Sequence, residues 1–377
     1  MAMQVGKVPP ALPALRIDLG ISLVTAGWVV SIFSLMAAFC AVFLGGIADR
    51  FGQMHTAIAG MLLCAAASVV GAYSETETAI LVTRTIEGFG FIMTSVSIPA
   101  LIARVANGAN RRTALAMWGS YMPAGSGFML LSAGPLLLYA GWQGVWIAAA
   151  IVILLVAFLL WLIRKDIPAP PEETETRLRL SDVFQVIRSP GPLLLSLIFT
   201  FYAGQYLAVA GFLPLMLVDL NGFRPESAAI VVAFIVLGNA VGNVSSGFLM
   251  SRGARPLYLI LAGCLAMAVG EVAVFMDDSS ETVRILGALL FSTFGGLIPS
   301  TLFSQVPVQA PSQRQFASVS GMLVQGAAIG QLLAPPICAF LISRNDHWND
   351  AIPALLVAAV ITAMSAVALA RRPTPVT

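Results

Sequence analysis

The chain has 377 residues, of which 58% are hydrophobic and only 10% charged, and its mean hydropathy is +0.90. That leaves too little polar surface to clothe a water-soluble globule of this size, so the solvent for most of the chain must be lipid. The formal net charge of +2, with no basic run interleaved with aromatic residues, sets nucleic acid aside as a partner.

In chain order, apolar runs between charged or turn-forming breaks cover Val24–Ala48, Met54–Tyr73, Ile80–Ala103, Ala114–Leu138, Val145–Ile163, Leu193–Val218, Ala228–Met250, Leu257–Met276, Ile285–Val308, Ala317–Ile342 and Ile352–Ala370. Each is about as long as the roughly 20 residues a helix needs to cross a bilayer, and none shows the short alternating pattern of a barrel strand. The expected fold is therefore all-α and polytopic. Ahead of the first run, Met1–Val5 is too short for the apolar core of a signal peptide, so nothing reads as cleavable. The longest polar stretch, Arg164–Pro192, carries Pro168, Pro170, Pro171, Glu172, Glu173 and Glu175 and reads as a linker. It divides the chain into a helical bundle over 1–165, a linker over 166–190 and a second bundle over 191–377.

Lys and Arg in the loops set orientation, because positive residues are retained on the cytoplasmic side. With the linker inside, fourteen of the twenty are cytoplasmic, and only Arg16, Arg224 and Arg344 fall in loops on the opposite side. Linker and C-terminus are thus expected in the cytoplasm, in a cell (inner) membrane, as a monomer. The four cysteines, Cys40, Cys64, Cys264 and Cys338, stand singly inside apolar runs. They read as small core residues rather than disulfide or metal ligands, so no metal and no cofactor is expected.

A repeat recurs at an offset near 201. Leu12-Pro13 matches Leu213-Pro214 and Asp18-Leu19 matches Asp219-Leu220. With slight slippage, Phe89-Gly90 matches Phe294-Gly295 and Gly134-Pro135 matches Pro335-Pro336. Two homologous six-helix bundles are expected. The counterpart of Leu193–Val218 would begin about eight residues before Met1, so the first helix is expected to be truncated, with only its outer half present.

Between the first two complete runs stands Gly45-Gly46-Ile47-Ala48-Asp49-Arg50-Phe51-Gly52-Gln53, which resembles the G-x-x-x-D-R-x-G loop of the major facilitator superfamily. Gly45 and Gly52 permit a tight turn, and Asp49 can sit near the positive N-terminus of the next helix or pair with an Arg. The resemblance implies that Gly45, Asp49, Arg50 and Gly52 form a conformational gate. In the second half Gly247-Phe248-Leu249-Met250-Ser251-Arg252-Gly253 lacks the acid.

Arg84-Thr85-Ile86-Glu87-Gly88-Phe89-Gly90 is similar to the R-x-x-x-G-x-G segment of the same superfamily, tied there to proton movement. Arg84 and Glu87 share a helical face at i, i+3, and ionisable groups at membrane depth face a cavity or each other. Arg84 is only about a turn, roughly 6 Å, from the outer end, so it either joins Glu87 or snorkels to the interface. Gly119, Pro123, Gly125, Gly127 and Gly134-Pro135 partly resemble the glycine-proline pattern of drug antiporters, and read equally as close helix packing. Gly6–Leu19, Ala26-Gly27-Trp28 and Gly141-Trp142 look similar to bacterial cyanate and nitroimidazole permeases.

Lys7 precedes Pro9 and Pro10. If its helix continues outward, Lys7 lies roughly 12 Å deep and faces an anion in the cavity; if the prolines end the helix, it is interfacial. Polar residues on helices that line the superfamily's central cavity are Trp118, Tyr121, Tyr202, Gln205, Tyr206, Asn239, Asn243, Gln305 and Gln325. Tyr202, Gln205 and Tyr206 share one face, as do Asn239 and Asn243. Each reads as a substrate contact or as interhelical glue. Glu271 falls near the outer end of a peripheral helix.

The resemblance implies a secondary transporter working by alternating access, with protons and a small organic or anionic solute as partners. No Walker-type phosphate loop is present, so a gradient must supply the energy. Three alternatives stand beside it. One is an efflux antiporter of the same superfamily, and another is a non-transporting or truncated receptor-like protein. The third, a membrane enzyme, is disfavoured because His55 and His347, the two histidines, fall on opposite sides of the membrane.

Overall fold

The computed structural model describes residues 1–39, 51–105, 121–167, 185–311 and 315–372. The described residues are helical with short connections and no strands. The helices are α1 (Met3–Gly6), α2 (Val8–Leu19), α3 (Leu23–Phe39), α4 (Gln53–Ala72), α5 (Glu77–Val105) and α6 (Tyr121–Leu162) in the first half. The second half holds α7 (Pro190–Asp219), α8 (Pro225–Ser251), α9 (Pro256–Phe275), α10 (Glu281–Gly295), α11 (Leu297–Gln309), α12 (Phe316–Ser343) and α13 (Ile352–Ala370). Among the described residues, nine helical stretches are long and apolar enough to cross a membrane.

Local chemistry sets where these helices begin. Ser22 and Ser280 accept from the backbone N–H groups of Thr25 and Val283, and α7, α8 and α9 each place a proline in the first turn, where no N–H is needed. Large apolar side chains such as Leu155, Phe158, Leu159, Val244 and Leu265 point outward and stay exposed, as lipid-facing positions do.

The two expected runs Ala114–Leu138 and Val145–Ile163 correspond to the two arms of α6, which meet at Gly141. The 42 residues of α6 would reach about 63 Å, twice the roughly 30 Å hydrocarbon core, so it cannot cross once. Gly141 takes φ 64°, a left-handed conformation that only glycine adopts without strain, and reverses the chain there. One expectation needs correction: the first helix is longer than half a span. α1 and α2 meet at Lys7, which keeps right-handed helical dihedrals, and Pro9 and Pro10 lie in the first turn of α2. Met3 to Leu19 therefore extends about 25 Å at helical rise.

The repeat is visible in the backbone. Gly52 and Gly253, 201 positions apart, have φ of 89° and 90°, and Gly20 and Gly222 have 62° and 68°. Within each half, small residues bring helices together: a Cβ built on Gly60 of α4 would meet the Gly90 carbonyl oxygen of α5 at 2.6 Å. Between halves, Gly27 lies against the Pro335–Pro336 backbone, Gly211 against Val30 and Gly134 against Glu226. At the end remote from the linker, Arg16 of α2 meets Asp219 of α7 at 3.4 Å. On the α3–α12 side the contact runs deeper, through Ser34 with Gln331 and Gln325 with the Ala38 carbonyl.

Candidate functional site

The first half encloses three charges. Arg84 and Glu87, one turn apart on α5, point into the interior between α1, α3, α4 and α6, where Lys7 joins them. Lys7 Nζ donates to Glu87 Oε1 at 2.6 Å and Arg84 Nη1 donates to Glu87 Oε2 at 2.5 Å, so each carboxylate oxygen serves one cation. Lys7 and Glu87 are 0% exposed and Arg84 1%. Arg84 therefore does not snorkel, and Lys7 is not interfacial.

The remaining bonds distribute the extra positive charge. Arg84 Nη1 also donates to the Gln4 carbonyl at 3.0 Å and Nε to the Val29 carbonyl at 3.2 Å, while its guanidinium lies 4.7 Å from the Phe33 ring centre. Lys7 Nζ donates to Ser68 Oγ at 2.8 Å and sits 4.4 Å from the Trp146 ring centre, and the Ser68 hydroxyl donates in turn to the Trp146 carbonyl. The Gln4 side-chain amide is buried beside this cluster without a hydrogen-bond partner. Taking charges out of water is costly, and the cost is offset only where every charge finds a counter-charge and hydrogen bonds. With all three ionised the cluster carries one more positive than negative charge.

A second polar group occupies the other half. Asn239 of α8 donates to the Tyr202 hydroxyl at 3.1 Å and to the Ser292 carbonyl at 3.0 Å. Asn243 donates to Asn239 Oδ1 at 2.9 Å and accepts from Ser300 at 2.9 Å. Tyr202 stacks on Phe199 and Tyr206, and Tyr206 on Phe291, with ring centres about 6 Å apart.

Of the residues singled out in the sequence, the structure thus brings together two sets: Lys7, Arg84 and Glu87 in one, Tyr202, Tyr206, Asn239 and Asn243 in the other. Lys7 is enclosed by its own bundle and does not face the second half. Gln205 is buried and donates to the Phe201 carbonyl one turn back, joining neither set. Gln325 donates to the Ala38 carbonyl, Gln305 approaches Ser304 at 3.5 Å, and Tyr121 stacks on Phe91. Gly52 precedes α4. Trp118, Gly45, Asp49, Arg50 and Cys40 lie outside the described residues. Cys64, Cys264 and Cys338 are buried and free.

Sequence reasoning missed Ser68, Trp146 and Gln4, whose residue types carry no signal at those positions. It also undervalued Glu271 of α9, which is 0% exposed with neither carboxylate oxygen hydrogen-bonded.

Comparison with known proteins gives one consistent picture. The sequence model described as the Major Facilitator Superfamily matches residues 1–335. A 3-(3-hydroxy-phenyl)propionate transporter of Escherichia coli (strain K12) is 28% identical over 346 residues, covering 88% of this chain and 82% of that protein. A putative niacin/nicotinamide transporter, NiaP, of Bacillus subtilis (strain 168) is 22% identical over 355 residues, covering 92% and 87%. The purine ribonucleoside efflux pump NepI of Salmonella paratyphi A (strain ATCC 9150 / SARB42) is 24% identical over 330 residues, covering 83% and 79%. The fold is shared with the crystal structure of a bacterial homolog of the human lysosomal transporter Spinster, with a TM-score of 0.78 at 17% identity, covering 100% of this chain and 97% of that one.

Proposed function

The chain belongs to the Major Facilitator Superfamily and is a multi-pass membrane secondary transporter of small solutes, and we propose that it couples solute movement to protons through the charge cluster of its first half. The observation that carries this is the enclosure of Arg84, Glu87 and Lys7, with no charge exposed and one carboxylate shared by two cations. Ionisable groups so placed inside a membrane protein are costly, and where they occur they mark ion or proton pathways. A change in their protonation alters the charge held within α1, α4 and α5, and so biases how the two halves rock.

The solute proposed is a small planar organic molecule, with organic acids foremost. The solutes named for the three relatives share an aromatic ring, and two of the named solutes, the phenylpropionate and niacin, are carboxylic acids. The Tyr202, Tyr206, Phe199 and Phe291 stack offers ring faces, and Asn239 and Asn243 offer polar contacts beside it. Further parts of the proposal are a division at residues 166–190, linker and C-terminus in the cytoplasm of a cell (inner) membrane, a gate at Gly45, Asp49, Arg50 and Gly52, a monomeric state, and no enzymatic activity. The relatives include an efflux pump, so antiport is the second reading of the same coupling.

The test uses proteoliposomes loaded with labelled 3-(3-hydroxyphenyl)propionate, nicotinate or inosine. An imposed pH gradient should drive net accumulation or expulsion of at least one probe, and Glu87→Gln should abolish that while leaving solute-for-solute exchange. Net movement that ignores the pH gradient in both proteins would refute proton coupling.

A further inference from the structure

Within the cluster, we propose that the exchangeable proton is carried by Lys7 Nζ rather than by the carboxylate of Glu87, which makes Lys7 the proton-binding site. The inference rests on the proton-coupled reading above for its role in transport. It can nonetheless be tested with no solute present.

Three single-proton changes are conceivable. Arg84 does not release its proton in proteins. Protonating Glu87 would spend one of its two oxygens and leave two cations in the interior with no counter-charge, raising the enclosed charge from one excess positive to two. Releasing the proton from Lys7 instead leaves Arg84 paired with Glu87 and brings the cluster to neutrality. With Arg84 set aside, only the release from Lys7 lowers the charge held in the dry interior.

Hydrogen-bond supply points the same way. An ammonium has three N–H donors, and Lys7 Nζ has two oxygen acceptors, Glu87 Oε1 and Ser68 Oγ. Its third direction is left to the Trp146 ring, 4.4 Å away. Ser68 is fixed as an acceptor toward Lys7, because its own hydroxyl proton goes to the Trp146 carbonyl. A neutral amine keeps two N–H donors and loses neither bond. The site thus accommodates both forms: R–NH3+ passes one proton to water and becomes R–NH2, with no other bond made or broken.

The groups facing Lys7 are few. Glu87 and Arg84 come from α5, Ser68 and Cys64 from α4, and Trp146 from α6. Among the described residues, Glu87 is the acid that pairs with Lys7. Lys7 also stands at the joint of α1 and α2, where Pro9 and Pro10 bring no N–H to the carbonyls of Val5 and Gly6 one turn earlier. The ladder is weakened beside the very residue that must part from Glu87 for its proton to reach water.

The experiment counts protons taken up by purified protein in lipid nanodiscs on acidification without solute, and records infrared difference spectra over the same step. Lys7→Arg should bind one proton fewer per chain than the wild type, and Lys7→Met should show the same deficit if Arg proves too bulky to fold. No acid-induced carboxylic band should be present that Glu87→Gln removes. The idea is overturned if Lys7→Arg or Lys7→Met takes up as many protons as the wild type, or if a carboxylic band appears that is lost in Glu87→Gln. Failure of proton coupling itself would appear separately, as solute movement in liposomes that ignores the pH gradient.

Discussion

Removing the one acid from the buried cluster should be far worse than removing the whole cluster. In Glu87→Leu, Lys7 and Arg84 remain buried at 0% and 1% exposure with no counter-charge, their 2.6 Å and 2.5 Å ion pairs gone. Deleting one partner of a buried ion pair costs about 3–5 kcal/mol, because the orphaned charge keeps its desolvation penalty. Lys7 can discard its charge and Arg84 cannot, so the Arg84 side sets the cost, at about 3 kcal/mol or more. The triple replacement Lys7→Met, Arg84→Met and Glu87→Leu removes every charge while roughly keeping volume, and should lie within about 1.5 kcal/mol of the wild type. The assay is thermal unfolding in detergent, reported as an apparent Tm, with the fraction remaining monodisperse after heating as a second readout. Glu87→Leu should fall several degrees below both the wild type and the triple variant. The electrostatic account fails if the single variant matches the wild type, or if the triple variant is the less stable of the two.

Three more outcomes follow from the geometry. Gly60→Val should lower the apparent Tm, because its Cβ would meet the Gly90 carbonyl at 2.6 Å; overpacking of this kind costs about 1–3 kcal/mol. Arg16→Ala should cost under about 1 kcal/mol, since the Arg16–Asp219 pair is 32% and 40% exposed, yet it should raise thiol labelling of a cysteine placed at the end remote from the linker. Glu271→Gln should leave the Tm nearly unchanged, as neither carboxylate oxygen has a partner to lose, whereas Glu271→Lys should sharply reduce folded yield.

Much of the fold was legible because a lipid solvent imposes a simple rule: every backbone polar group is satisfied within its own helix, so apolar run length reveals the span. The break around Gly141 was legible too, since one apolar run stops at Leu138 and the next begins at Val145. Whether the first helix runs on past Pro9 and Pro10 was open in the sequence; they lie where helices tolerate proline, in a first turn.

The site was half legible. Arg84 and Glu87 are one turn apart on one helix, and that proximity follows from local geometry. The Lys7–Glu87 bond joins positions 80 apart, and Ser68 and Trp146 complete it from two further helices, so only tertiary packing reveals it. Asn239 and Tyr202 likewise announced their own faces, but not that they face each other across α8 and α7.

The most direct test of the central claim is proton movement itself, read with a pH-sensitive dye inside proteoliposomes when 3-(3-hydroxyphenyl)propionate, nicotinate or inosine is added outside. Coupled transport predicts a pH change on addition of a transported probe, inward for symport or outward for antiport, abolished by Glu87→Gln. Labelled probe crossing the membrane with no accompanying pH change would contradict it.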